Sequence, residues 1–217
     1  MKLNKFLIIF SVAGIVITGL YANNYFEKEH LSLSESENSF RWLKGKPEIT
    51  QLRSGDLIFR HGRGFISNAL MSFSRREKKY SHAGIVSVEN GNVFVYHAIG
   101  GEENISNKLR KDPLEMFCNP ADVHAFGIYR TDLSTEKVQS ILQLAAMYYA
   151  RGLEFDTKFD LATDDKMYCT EFIYKVFRQV LGSQNYISLS ALPGRDFIAC
   201  DDLYCNNHCR LIYSYHY

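Results

Sequence analysis

Apolar positions along the chain fall into two periods, and these separate strands from helices. DLIFR (56–60), HAGIVSV (82–88), NVFVYHAI (92–99), VHAFGIYR (123–130) and the closing RLIYSYHY are short runs rich in β-branched and aromatic residues, as strands require. The second and third are joined through Glu89-Asn90-Gly91, and Asn-Gly between two such runs is the strongest short-range hairpin signal. GFISNALMSF (64–73) fits a short amphipathic helix. STEKVQSILQLAAMYYARG (134–152) has apolar residues at helical spacing, Ser134 placed to cap and Gly152 to stop it, though Lys137 stands where a capping box would want Glu. CTEFIYKVFRQVLG (169–182) repeats the pattern and also ends on glycine. With no internal repeat, the elements predict an α+β fold in which helices pack against an antiparallel sheet.

The first residues break this pattern. Lys2 and Lys5 precede an uncharged apolar run from Phe6 to about Ala22, the layout of an export signal. Its length is at the short edge of a membrane span and beyond most cleavable signals, and cleavage after Ala22 would put Leu20 where a small residue is preferred. Residues 1–22 are therefore read as an uncleaved anchor in preference to a removed signal. Lysines before the run and Glu27, Lys28 and Glu29 after it orient the remainder outside the cytoplasm, on the periplasmic side, or secreted if the segment is cleaved. Residues 23–50 are polar and Ser/Glu-rich and read as a tether. Residues 51–217 then form one compact domain.

Charge and composition exclude one class of partner. The chain carries a net charge of +1 and no long basic run, so nothing points to nucleic acid. Its 14% aromatic content suits a β-containing core.

Candidate chemistry centres on Cys169, at the predicted start of the last long helix. Unpaired N–H groups and the helix dipole there favour the thiolate, and the same N–H groups can receive a developing oxyanion. A thiol needs a base, commonly a histidine held by a third polar group. His82 opens one hairpin arm and His97 lies near the end of the other, so their rings can meet on one face, one as base and the other as orienter. Each residue alone also has a bland reading, as a buried small residue or a half-buried hydrogen-bonded histidine.

SGDLIF, SHAGIV, the hairpin ending VYHA and YCTEFIYKVF, in this order, resemble the permuted papain-like family of the YiiX/YaeF or YebB type. It is the circularly permuted branch of the NlpC-type superfamily, which also includes lecithin retinol acyltransferase-like proteins. The resemblance covers residues 51–217 and implies a papain-like fold with Cys169 as nucleophile, His82 as general base and a polar third member on the following strand. His97 fills that place, and Glu89 or Glu102 would be the alternatives if His97 faces away. Tyr168 and Thr170, beside the thiol, line the site, while Asp56 in SGDLIF fixes a loop. The implied reaction is cleavage of an amide or ester through a thioester, with a cell-wall peptide as the leading substrate and no cofactor. A lipid acyl hydrolase or acyltransferase on the same fold is the alternative, followed by a peptide- or lipid-binding module without turnover and by a structural anchored protein with Cys169 bridged.

Four cysteines remain: Cys118, Cys200, Cys205 and Cys209. An even number in an oxidising space predicts two disulfides, with the pairing open. Cys200, Cys205, His208 and Cys209 also have the residue types of a small zinc site, but without a CxxC knuckle, so disulfides are preferred and no metal enters the mechanism.

Overall fold

The computed structural model describes residues 47–100, 104, 106–182, 186–192 and 195–217. The apolar segment 1–22 and residues 23–46 of the tether lie outside the described residues. Residues 47–50, grouped with the tether on composition, form a helical turn, α1 (Pro47–Thr50), whose Ile49 is buried.

A six-stranded sheet organises the domain. Its strands are β1 (Leu57–Gly62), β2 (His82–Glu89), β3 (Asn92–His97), β4 (Arg110–Pro113), β5 (Val123–Thr131) and β8 (Cys209–His216), in the order β4-β3-β2-β1-β5-β8. Every neighbouring pair is antiparallel. β1 is central and almost wholly buried, which is why LIF reads as a continuous apolar run and not an alternating one. The β2–β3 turn has Asn90 at φ 51° and Gly91 at φ 80°. Two successive positive φ values define the turn whose twist matches a hairpin, and Asn-Gly adopts them at least cost. At the β4 edge Pro113 removes a donor where none is needed.

Each sheet face has its own core. On one, Leu57, Phe59, Ile85 and Tyr96 pack against α4 (Thr135–Ala150) and α5 (Cys169–Leu181). On the other, Ile58, Val86, Val95, Phe126 and Ile128 meet Ile49, Leu52, Leu114 and Phe117, the last two on α3 (Leu114–Phe117). Phe172, Ile173, Val176 and Phe177 form the buried stripe of α5, and each contributes about 1.5–3 kcal/mol by leaving water. Gly182, left-handed at φ 65°, ends that helix. Ser134 caps α4 by accepting from the Lys137 N–H. Asp56 accepts from the Arg53 N–H and from Arg130 at 2.7 and 2.8 Å, tying the loop before β1 to β5.

Several elements have no apolar period to announce them: β4, α3, the small ladder β6 (Ser190–Leu192) with β7 (Arg195–Phe197), and α6 (Cys200–Tyr204). α2 (Phe65–Ser72) lies beside β1 with none of its residues buried.

The expected pair of disulfides is a correction: all five cysteines are free. Cys118 sits in the core beneath one sheet face, whereas Cys200, Cys205 and Cys209 belong to the other. A bridge needs Cα atoms within about 7 Å, which a sheet standing between them forbids. Excluding Cys118 leaves an odd number, so two bridges among the four cannot form, and the cysteines carry no argument about compartment.

Candidate active site

Cys169 is the first residue of α5, and Tyr168 before it is extended, so the helix begins at the thiol. Glu171 accepts from the Tyr168 N–H at 3.0 Å and fixes that start; burial pushes its pKa up to about 7. Cys169 is 7% exposed. Burial pushes the thiol up to about 11, opposed chiefly by the backbone N–H groups of Ala83, Thr170 and Cys169, which favour the thiolate. The N–H groups expected at a helix start are therefore aimed at the sulfur, but burial outweighs them, and the resting thiol is protonated at neutral pH.

The Ala83 N–H belongs to the residue after His82, so the thiol meets the start of β2. His82 is 8% exposed and bonds His97 through Nε2···Nδ1 at 2.8 Å. The register explains the meeting: Ile85 faces Tyr96, so His97 stands across from Gly84, and the missing side chain leaves room for the ring to lean towards His82. Both rings pack on Phe117, with centroids at 5.6 and 5.1 Å. Arg60 lies over the same ring at 5.0 Å and donates to the Phe117 carbonyl.

The ladder does not stop at His97. Its Nε2 lies 3.0 Å from Asp112 Oδ2, and Arg110 reaches both oxygens of that carboxylate, at 3.0 and 2.9 Å. Burial alone would raise Asp112, but the His97 hydrogen bond and the Arg110 charge outweigh it and hold the carboxyl below its usual value. Burial depresses His97 despite Asp112, and it depresses His82 far below 6.5, helped by Arg60, His97 and Arg110. Two neutral imidazoles beside a carboxylate have one consistent proton arrangement. Asp112 can only accept, so His97 Nε2 carries hydrogen and its Nδ1 accepts; His82 Nε2 then donates, and His82 Nδ1 keeps a lone pair. Among the described residues that nitrogen has no hydrogen-bond partner. The arrangement can remove a proton from a group at Nδ1.

These depressed values link the ladder to stability. A buried neutral histidine contributes stability that is present above its unfolded value near 6.5 and lost as pH falls through the folded one. The thermal midpoint should stay level from pH 8 to 7 and decline below about 6.5, and the double variant His82→Gln/His97→Gln should flatten that decline. Calorimetry across pH checks this; an unchanged acid limb in the variant would place the sensitivity elsewhere.

Tyr168 and Thr170 flank the thiol, but their hydroxyls are turned to the backbone of Ile198. Tyr168 accepts from its N–H at 2.9 Å and Thr170 donates to its carbonyl at 2.6 Å. Tyr168 also stacks on Phe197 at 5.2 Å. Their place is to hold the segment before α6 against the start of α5. Glu89 bonds Ser87 and Lys111 at the hairpin end of β2, seven residues and about 23 Å from His82; Glu102 lies outside the described residues. His208 faces Asp132 and stacks on Tyr186, and the Cys209 thiol donates to the Leu203 carbonyl. Among the described residues no group of three or more His, Cys, Asp or Glu converges on a metal position.

Asp112 was not legible in the sequence. It sits in RKDP, a polar stretch with no period, and only the register β3–β4, with Asp112 across from Val95 and Arg110 from His97, puts it on the histidine face. A cleft of about 540 Å³, lined by Lys108, Arg110, Lys111, Asp112, Tyr149 and Arg151 among others, opens beside that carboxylate.

Known proteins match this architecture. Residues 51–213 match the model of the family described as permuted papain-like amidase enzyme, YaeF/YiiX, C92 family. The uncharacterized protein YiiX of Escherichia coli (strain K12) is 27% identical over 154 residues, which is 70% of this chain and 66% of that protein's length. A crystal structure titled as metalloprotein yiiX from Escherichia coli O157:H7 superposes with a TM-score of 0.63 at 20% identity, covering 77% of this chain and 99% of that one; at that identity the likeness concerns the fold. The match across most of the chain, on a sheet and helix arranged as the motif order implied, establishes that this chain belongs to the permuted papain-like amidase family of YaeF and YiiX.

Proposed function

We propose that the chain is a cysteine-dependent amide hydrolase, with Cys169 as nucleophile, His82 as base, His97 as orienter and Asp112 fixing the tautomer of both rings. The observation that carries this reading is the hydrogen-bonded ladder from Asp112 through His97 to His82, one residue before the Ala83 N–H that the Cys169 thiol approaches; among the described residues the thiol makes no hydrogen bond to either imidazole. Because the resting thiol is protonated and His82 neutral, proton transfer accompanies attack. Sulfur bonds to the substrate carbonyl carbon as its proton passes to His82 Nδ1, and the oxyanion takes up N–H groups at the start of α5. His82 returns the proton to the leaving nitrogen, the C–N bond breaks and a thioester remains. Water then attacks, giving one proton to His82; the C–S bond breaks as His82 passes that proton to the departing sulfur, restoring the thiol, and the carboxylic acid released loses its remaining proton to solvent.

The substrate proposed is a cell-wall peptide amide, reached through export by the segment Phe6–Ala22 with the domain outside the cytoplasm. The free-enzyme profile of kcat/KM should be level around neutrality and fall on the acid side only well below 6.5, as His82 protonates.

Intact-mass analysis of the full chain with an activated acyl ester tests the chemistry. One acyl group should add to Cys169, discharge in water, and fail to add in His82→Ala. A chain that is folded yet gains no mass, or gains it equally without His82, would sink the assignment. Release of free peptide carboxylates from muropeptides then tests the substrate.

A further inference from the structure

We infer that α2 and the basic stretch behind it form a surface that docks on an anionic phospholipid bilayer, with the start of α5 held near that surface. Phe65 is 87% exposed, Ile66 75% and Phe73 38%. Other exposed large apolar residues, such as Val88, Met116 and Leu211, come from separate elements, and scattered apolar residues need no explanation. Here they share one eight-residue helix and its end. Within residues 63–79 stand Arg63, Arg75, Arg76, Lys78 and Lys79, all exposed, against Glu77, which pairs with Lys79 at 2.9 Å, and the buried Asp202 of α6, 3.6 Å from Arg76, so cations outnumber the acids that face them. Exposed aromatic and aliphatic residues on one short helix, beside cations, match the interfacial region of a bilayer and its negative headgroups.

The surface is built into the fold. Asp201 of α6 accepts from the N–H groups of Arg75 and Arg76 at 2.8 and 2.6 Å, which holds the basic stretch in place. Ser67 on α2 bonds the Ser81 hydroxyl at 3.0 Å, one residue before His82. Phe73 packs on Phe197 at 5.4 Å, and Phe197 stacks on Tyr168, the neighbour of Cys169. Docking of α2 would therefore orient the thiol end of the domain towards lipid. The inference stands on exposure and charge and holds whether or not Cys169 is catalytic.

The test uses the full chain, with Trp42, its only tryptophan, replaced as Trp42→Phe and an indole introduced as Phe65→Trp. The chain is added to vesicles of phosphatidylcholine alone or of an equimolar mixture with phosphatidylglycerol, each with acyl chains brominated. The introduced indole reports α2 itself, so association through residues 1–22 does not mimic the result. In the anionic vesicles its emission should shift to the blue and be quenched, more than in the neutral ones. Arg75→Glu with Lys78→Glu should lower the partition constant read from a lipid titration of the quenching by at least about fivefold per residue, and raised salt should lower it too. Emission that stays water-like while the chain is vesicle-bound overturns the inference. So does quenching equal in both vesicles and indifferent to charge reversal, or an indole already shielded before lipid is added, which would mean that another part of the chain covers α2.

Discussion

Asp112→Asn is expected to lower kcat/KM for an activated acyl ester by about 10²–10⁴-fold, the range associated with a misplaced acid–base group. In the native site Asp112 accepts from His97 on one side and from Arg110 on both oxygens. An asparagine amide has one accepting oxygen and one donating nitrogen. Turning the nitrogen to His97 reverses the ladder: His97 Nδ1 then carries the hydrogen, His82 Nε2 accepts, and His82 Nδ1 is protonated and cannot serve as base. Turning it to Arg110 sets donor against donor in a buried place. Neither orientation retains the native pattern. Losing the carboxylate also removes the charge that supports an imidazolium in the ladder, so the acid limb of the pH profile should move to lower pH while the plateau falls. A residue that mattered only for packing would lower the amount of folded enzyme without moving that limb. The idea fails if the variant keeps both the native rate and the native profile.

Gly84→Ala should destabilise the domain by about 1–3 kcal/mol, the usual cost of overpacking, and impair the site at the same time. An added Cβ would lie 2.3 Å from Val95 Cγ1, 3.1 Å from the Tyr96 carbonyl and 3.3 Å from His97 Cβ. Val95 is fully buried and β-branched, so its methyl cannot swing clear. The strands must part by some tenths of an ångström, and the first casualty is the 2.8 Å contact between the two histidines. Adding Val95→Ala opens the space, so the double variant should recover part of the stability that the single variant loses, less the cost of the new cavity. Urea unfolding of the wild type and both variants checks the coupling. Additive losses would show that Gly84 and Val95 do not share the strain.

The long elements and the hairpin were legible because their signals are local. Asn90-Gly91 announces its own φ values, the α5 stripe repeats at helical spacing, and SHAGIV and YCTEFIY occur in the order that the family resemblance requires. Those same signals named Cys169, His82 and His97, because a residue's position on a strand or at a helix start follows from the element that carries it. Tyr168 and Thr170 flank the thiol by adjacency in the chain, but adjacency does not say where a hydroxyl turns, and both turn to Ile198.

What the chain's order alone determined is therefore the long strands and helices, the hairpin that brings two histidines to one end, and a thiol at the start of a helix. Tertiary structure decided the rest, because each remaining feature depends on which residues far apart in sequence share a face. Asp112 joins the ladder through strand register. The disulfides fail because a sheet stands between Cys118 and the other cysteines. The thiol is protonated, although a helix start favours the thiolate, because burial against β2 costs the charged form more than three backbone N–H groups return. Periodicity is a property of neighbours along the chain, whereas desolvation and register are properties of neighbours in space.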